Sequence, residues 1–138
     1  MQDGPTAPEI LASVAAFLRD DVLGQLSGAT AFQLRVAANA LDLVRRELTM
    51  APAAAEREHA ALEAVLSQTG TTAELTAELA RRISNRTLDP SVPEVEALLW
   101  RITEDKLAVD QPGYAGLLLA QALRATAGRC EPNEGKSR

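Results

Sequence analysis

Apolar residues recur along this chain at intervals of three and four, the spacing of one buried stripe per helix, and β-branched runs long enough for strands are absent. The first such stripe is Leu11, Val14, Leu18, Val22 and Leu26, widened by Ile10 and Phe17, with Arg19, Asp20 and Asp21 left to face water. Thr6 and Glu9 precede it in the T-x-x-E pattern of a capping box, and Pro8 is tolerated in a first turn. These signals predict a helix from Thr6 to about Leu26, closed by Ser27 and Gly28. The second helix runs from about Thr30 to Met50, with Leu34, Ala37, Leu41, Val44 and Leu48 as its core stripe, and it ends before Pro52, which removes a helical donor.

A third helix, Ala53 to Thr69, offers Leu62, Val65 and Leu66 as contacts and has Gly70 as its stop. Thr71 and Glu74 form a second capping box ahead of Leu75, Leu79 and Ile83, in a helix ending near Asn85. Ser91 and Glu94 repeat the pattern around Pro93, opening a helix from about Val92 to Val109 with the stripe Val95, Leu98, Leu99 and Ile102. A last helix, about Tyr114 to Thr126, crowds Leu117, Leu118, Leu119 and Leu123 together before Gly128. The expected fold is therefore all-α, a compact antiparallel bundle of five to six helices, with one domain over residues 1–128 and a disordered polar tail over 129–138.

Size and charge narrow the function classes. The 138 residues suffice for one domain, and a net charge of −5 disfavours nucleic acid as a partner, since phosphate contacts need a basic face. Cys130, the one cysteine, has no internal disulfide partner. The segment near the start lacks the basic beginning and apolar run of a secretion signal, and the run from Gln111 to Leu123 is too short to span a bilayer. A cytoplasmic protein that does not engage a membrane is expected.

Candidate chemistry is sparse. Asn39, flanked by Val36, Ala37, Ala38, Ala40 and Leu41, is expected against packed surface, where an unpartnered amide costs about 1–3 kcal/mol. Arg35, Asn39 and Arg46, with Asp42 between, succeed one another at helical spacing and read as a structural polar cluster or a binding site. The basic groups Arg45–Arg46 and Arg81, Arg82 and Arg86 lie near expected helix C-termini, where cations complement the helix dipole; were the two ends adjacent, they would also suit a phosphate such as that of coenzyme A. His59 stands among Glu56, Glu58 and Glu63 without the second histidine or cysteine a metal site ordinarily uses. No serine occupies a nucleophile turn, and no glycine-rich phosphate loop occurs, so neither an enzyme signature nor a cofactor is read. Trp100, Leu107, Tyr114, Leu117, Leu118 and Leu119 are interface candidates, because one small bundle does not easily bury three successive leucines; a homodimer or a heteromeric contact would cover them.

Three segments, GPTAPEILASVAAFLRDDV, FQLRVAANALDLVRREL and ITEDKLAVDQPGY, taken in order, resemble a bacterial family of small helical proteins designated a domain of unknown function. The middle segment carries most of it, with Phe32, Arg35, Val36, Ala37, Asn39, Leu41, Arg46, Glu47 and Leu48; Lys106, Leu107, Ala108, Val109, Pro112 and Tyr114 support it. Members are encoded beside aminoglycoside-phosphotransferase-like kinases and acyl-CoA dehydrogenases. The resemblance implies a non-catalytic accessory subunit of such a kinase in hydroxyacyl-CoA metabolism; the residues themselves leave two further readings, direct acyl-CoA binding with the arginine groups holding its phosphates, and an enzyme built on Arg35, Asn39 and a carboxylate. The chain departs from the family pattern at Asn85-Arg86, where a glycine is usual, and in its leucine-rich extension after Tyr114.

Overall fold

The computed structural model describes residues 4–127, all of whose regular structure is helical. Helix α1 covers Ala7–Phe17 and continues through a π-helical turn, Leu18–Val22, and a 3-10 turn, Leu23–Gln25. Helix α2 comes next over Gly28–Leu66, then α3 over Thr72–Ser84, α4 over Pro93–Asp110 and α5 over Ala115–Ala127. The expected all-α bundle is thus the fold. The tail expected over 129–138, including Cys130, lies outside the described residues.

Helix α2 organises everything else, and it corrects the expected break at Pro52. Its 39 residues form one helix about 58 Å long, with Pro52 inside it. Proline withholds its own donor and its ring crowds the carbonyl four residues back, but Pro52 is exposed just beyond the exposed run Glu47 to Met50, where the Leu48 carbonyl can tilt outward and bond water. Ala51, Ala53, Ala54 and Ala55 around it are the strongest helix formers. Both flanking halves are also held by packing, α1 against the first and α3 and α4 against the second. Two anchored halves with high local propensity carry the helix through one missing hydrogen bond.

The core lies in the second half. Leu62 and Leu66 of α2, Leu75 and Leu79 of α3, and Val95 and Leu98 of α4 form one buried cluster, bordered by Val65, Ile83, Leu88, Leu99 and Ile102. In the first half the contact is built from small residues: Ala15 of α1 and Ala31 and Ala38 of α2 are buried. Small side chains let helix backbones approach closely. The buried face is rotated from the expected one. Ala37, Val44 and Leu48 are exposed while Ala38 is buried, and on α1 the exposed set is Ile10, Val14 and Phe17.

Capping chemistry sets the boundaries. The Thr6–Glu9 and Thr71–Glu74 boxes both form, each threonine hydroxyl accepting from the glutamate amide and each carboxylate accepting from the threonine amide. The Ser91–Glu94 box does not. Ser91 donates its amide and hydroxyl to Asp89 Oδ1 at 2.8 and 2.7 Å, so α4 starts after Val92 with no side-chain cap. An aspartate two residues upstream offers a tight Asx turn that competes for the same serine. Gly70 is not the stop of α2 either; the left-handed Ser67, at φ 51°, ends it.

Helix α3 closes in a Schellman motif, Thr87 N–H bonding the Arg82 carbonyl at 2.9 Å and Arg86 N–H the Ile83 carbonyl at 3.1 Å. The residue in the left-handed position is Arg86, at φ 61°. A non-glycine side chain there costs about 1 kcal/mol. A glycine is what the motif calls for on steric grounds.

On α3, Glu78 accepts from both Arg81 and Arg82, and these hydrogen bonds lower its pKa to about 2. A depressed carboxylate contributes stability that is complete above its unfolded value of 4.5 and lost as pH falls toward about 2. Acid titration of the thermal midpoint should therefore show a decline across that window that is shallower in Glu78→Gln. Identical slopes in the two proteins would show that the paired arginines do not stabilise the fold through this carboxylate.

Candidate functional site

Beside the α1–α2 contact the chain builds a polar cleft. Asp42 sits one turn beyond Ala38 on α2, close enough to the α1 interface that its carboxylate needs cations. Arg19, carried on the π turn, donates to both Asp42 Oδ2 and Asn39 Oδ1, the latter at 3.2 Å. Arg45 approaches Asp42 Oδ1 at 3.4 Å from within α2. Burial works to raise the Asp42 pKa, but the hydrogen bond and charge of Arg19, then those of Arg45, outweigh it and hold the carboxyl below its ordinary value. A π turn carries an extra residue and shifts the angular phase of the helix beyond it; such turns recur at functional sites.

The neighbouring cleft has a volume of about 430 Å³ and is lined by Val36, Asn39, Ala40, Asp42, Leu43, Arg46 and Asp110. Arg46 is fixed at its edge, its Nε donating 2.7 Å to the Val109 carbonyl in the last turn of α4. That bond satisfies one orphan carbonyl of the helix end and ties α4 to the middle of α2. Asn39 uses its carbonyl oxygen on Arg19, and its amide nitrogen has no partner among the described residues. The cleft therefore offers donors from Asn39 and Arg46 over an apolar floor, with the Asp110 carboxylate opposite.

Asn39 is exposed, which corrects its expected place in packed surface. The buried residue at that level is Ala38, one position back. Of the polar cluster, Asn39 and Arg46 meet in the cleft, whereas Arg35 is exposed and does not line it. Arg19, expected to face water, was missed. The signal for it was Asp42, an acidic side chain beside an alanine interface that required a cation from elsewhere.

The two basic groups do not adjoin. Arg45 and Arg46 lie mid-helix, and Arg82 contacts the Leu66 carbonyl at 3.3 Å, about 30 Å along α2 from Arg46. Arg81 and Arg82 are both engaged by Glu78, while Arg86 borders a separate concavity with Ile83, Leu88, Asp89 and Pro90. His59 Nδ1 lies 3.0 Å from Thr72 Oγ1, and its Nε2 is 3.5 Å from Glu63, joining α2 to the start of α3. Among the described residues no group of three or more His, Cys, Asp or Glu is placed to hold a metal ion.

The interface candidates divide. Leu117 is buried and Leu107 half-buried, but Trp100, Tyr114, Leu118 and Leu119 are exposed, together with Leu123. Helix α5 is tied to α4 by Arg124, which donates 2.6 Å to Glu104 and lies 4.8 Å over the Trp100 ring. A second exposed apolar set occupies the other end: Ile10, Val14 and Phe17 on one face of α1, with Phe32 and Val36 on α2. No described helix is long and apolar enough to cross a membrane.

The model of the family described as Domain of unknown function (DUF6285) matches residues 24–114. The chain belongs to that family. No curated protein and no solved structure matches it. The DUF6285 region takes in α2, α3 and α4, so it supplies the buried cluster and every residue lining the cleft. Two of the three segments that carry the resemblance lie inside it; the opening segment, with α1 and Arg19, lies before it, and α5 lies after.

Proposed function

We propose that this DUF6285 protein is a non-catalytic accessory subunit that binds a protein partner through exposed apolar side chains of α4 and α5. The observation that carries the reading is the exposure of Leu118, Leu119 and Leu123 on a helix already anchored by Leu117 and Arg124. Leucines at 53, 62 and 61% exposure, beside Trp100 and Tyr114, make an apolar patch of the kind that marks interaction sites. Aromatic anchors at such a patch are typical of the residues that dominate binding energy. The family resemblance directs the choice of partner to an aminoglycoside-phosphotransferase-like kinase acting in acyl-CoA metabolism. Direct binding of acyl-CoA by the arginines draws less support, because Arg81 and Arg82 are already paired with Glu78 and lie far from Arg46.

Co-expression with such a kinase and size-exclusion chromatography of the product tests the reading. The two chains are expected in one peak at micromolar concentration, and Leu118→Asp with Leu119→Asp is expected to separate them while the helical circular dichroism is kept. Separate peaks for the unmodified chains would refute it.

A further inference from the structure

The polar cleft does not end at Asp110. A second concavity, of about 270 Å³, shares Leu43 and Asp110 with it and continues along α2 past Ala51 and Ala54 to Glu58, walled on its other side by Asp105, Lys106 and Val109 of α4. Together they form one groove whose floor is Val36, Ala40, Leu43, Ala51, Ala54 and Val109. From Val36 to Glu58 it runs along α2 for about 33 Å, the length of a helix of about 20 residues. Alanines at half of these floor positions leave room for another backbone to approach closely.

The rim decides the sign of the occupant. Glu47, Glu58, Asp105 and Asp110 stand along it against Lys106. Asp105 is paired with Arg57 at 3.0 Å, whereas Glu47, Glu58 and Asp110 have no cationic partner among the described residues. At the far end Arg46 keeps its charge in bonding the Val109 carbonyl, and Arg19 and Arg45 together exceed Asp42, so the excess of negative charge lies on the stretch bounded by Glu47, Glu58 and Asp110, over an apolar floor. A second copy of this chain, itself at net charge −5, fits that rim poorly.

We infer that this groove takes a basic amphipathic helix of the protein partner, with apolar side chains at i, i+3 or i+4 and i+7 on the floor and Lys or Arg flanking them toward Glu47, Glu58 and Asp110. Helix-in-groove docking supplies the apolar contact, and the opposite charges select the partner and its orientation. The inference rests on the accessory-subunit reading and names the chemistry of the partner segment, on a face separate from the α4–α5 patch.

The test uses the full chain and two labelled peptides of about 20 residues, each with a Leu/Ala stripe at helical spacing, one flanked by Lys and its twin by Glu. Fluorescence anisotropy should show the Lys peptide binding about tenfold or more tightly than the twin, weakening as salt is raised. Glu47→Lys with Asp110→Lys should remove that preference, while Glu56→Lys with Glu96→Lys, exposed carboxylates that do not line the groove, should change binding by less than about twofold. Equal binding of both peptides, an equal loss in the two double variants, or a dimer in sedimentation that Glu47→Lys with Asp110→Lys dissociates would each overturn the inference. If kinase co-elution survives Glu47→Lys with Asp110→Lys and the peptides show no preference, the groove assignment fails alone; if the unmodified chain does not co-elute at all, the accessory-subunit reading fails instead.

Discussion

Leu62→Ala is expected to lower the unfolding free energy by about 3–5 kcal/mol, measured by urea denaturation with circular dichroism as the readout. Leu62 is 0% exposed and sits where α2, α3 and α4 meet, among Leu66, Leu75, Leu79, Val95 and Leu98. Removing three carbons there loses their transfer from water and leaves a cavity that cannot easily close, because its walls belong to three separate helices. With total stabilities of domains this size near 5–15 kcal/mol, the variant should be at or near the edge of folding at 37 °C. Leu48→Ala is the control. It removes the same atoms from the same helix at a half-exposed position and should cost well under half as much. Similar losses at the two sites would show that the buried cluster is not the centre of stability.

Pro52→Ala should raise stability by about 1–3 kcal/mol. The substitution returns a backbone donor for the Leu48 carbonyl within an existing helix and disturbs no packing, since Pro52 is exposed. The greater freedom of an unfolded chain with alanine offsets up to about 1 kcal/mol of this gain. Thermal denaturation of the two proteins side by side decides it: a higher midpoint for the alanine variant is expected. A lower midpoint would mean that the backbone geometry Pro52 imposes is itself required by the packing of α1, α3 and α4 along α2.

The two substitutions mark the difference between local and distant constraints. Leu62 could be named from its spacing with Val65 and Leu66, because amphipathic periodicity selects which residues turn inward wherever a helix carries one clean stripe. The continuity of the helix through Pro52 could not, because it depends on both halves being clamped by other elements. The same contrast holds at the helix starts. Thr6 with Glu9 and Thr71 with Glu74 form their boxes as spaced, while Ser91 is captured by Asp89, a nearer competitor.

In the candidate site, periodicity placed Asn39 and Arg46 two turns apart on one side of the helix but did not give the phase of the helix that bears them. Ala37 and Ala38 are equally plausible core residues by composition, and choosing one or the other turns Asn39 inward or outward. The choice was made by Ala15 and Ala31, which let α1 settle onto the Ala38 face and bring Arg19 to Asp42. The helix end near Asn85 was legible in the sequence, and its form, a left-handed Arg86 in a Schellman motif, came from the backbone of α3.

Helical class, the two working caps and the leucines of the buried cluster are consequences of interactions within a few residues, and they were written in the order of the amino acids. The single spine of α2, the outward Asn39, the Arg19–Asp42 contact and the groove that joins the middle of α2 to the end of α4 arise between segments 20 or more residues apart. Such contacts depend on which face each helix presents, and that is settled only when the helices compete for the same apolar surface.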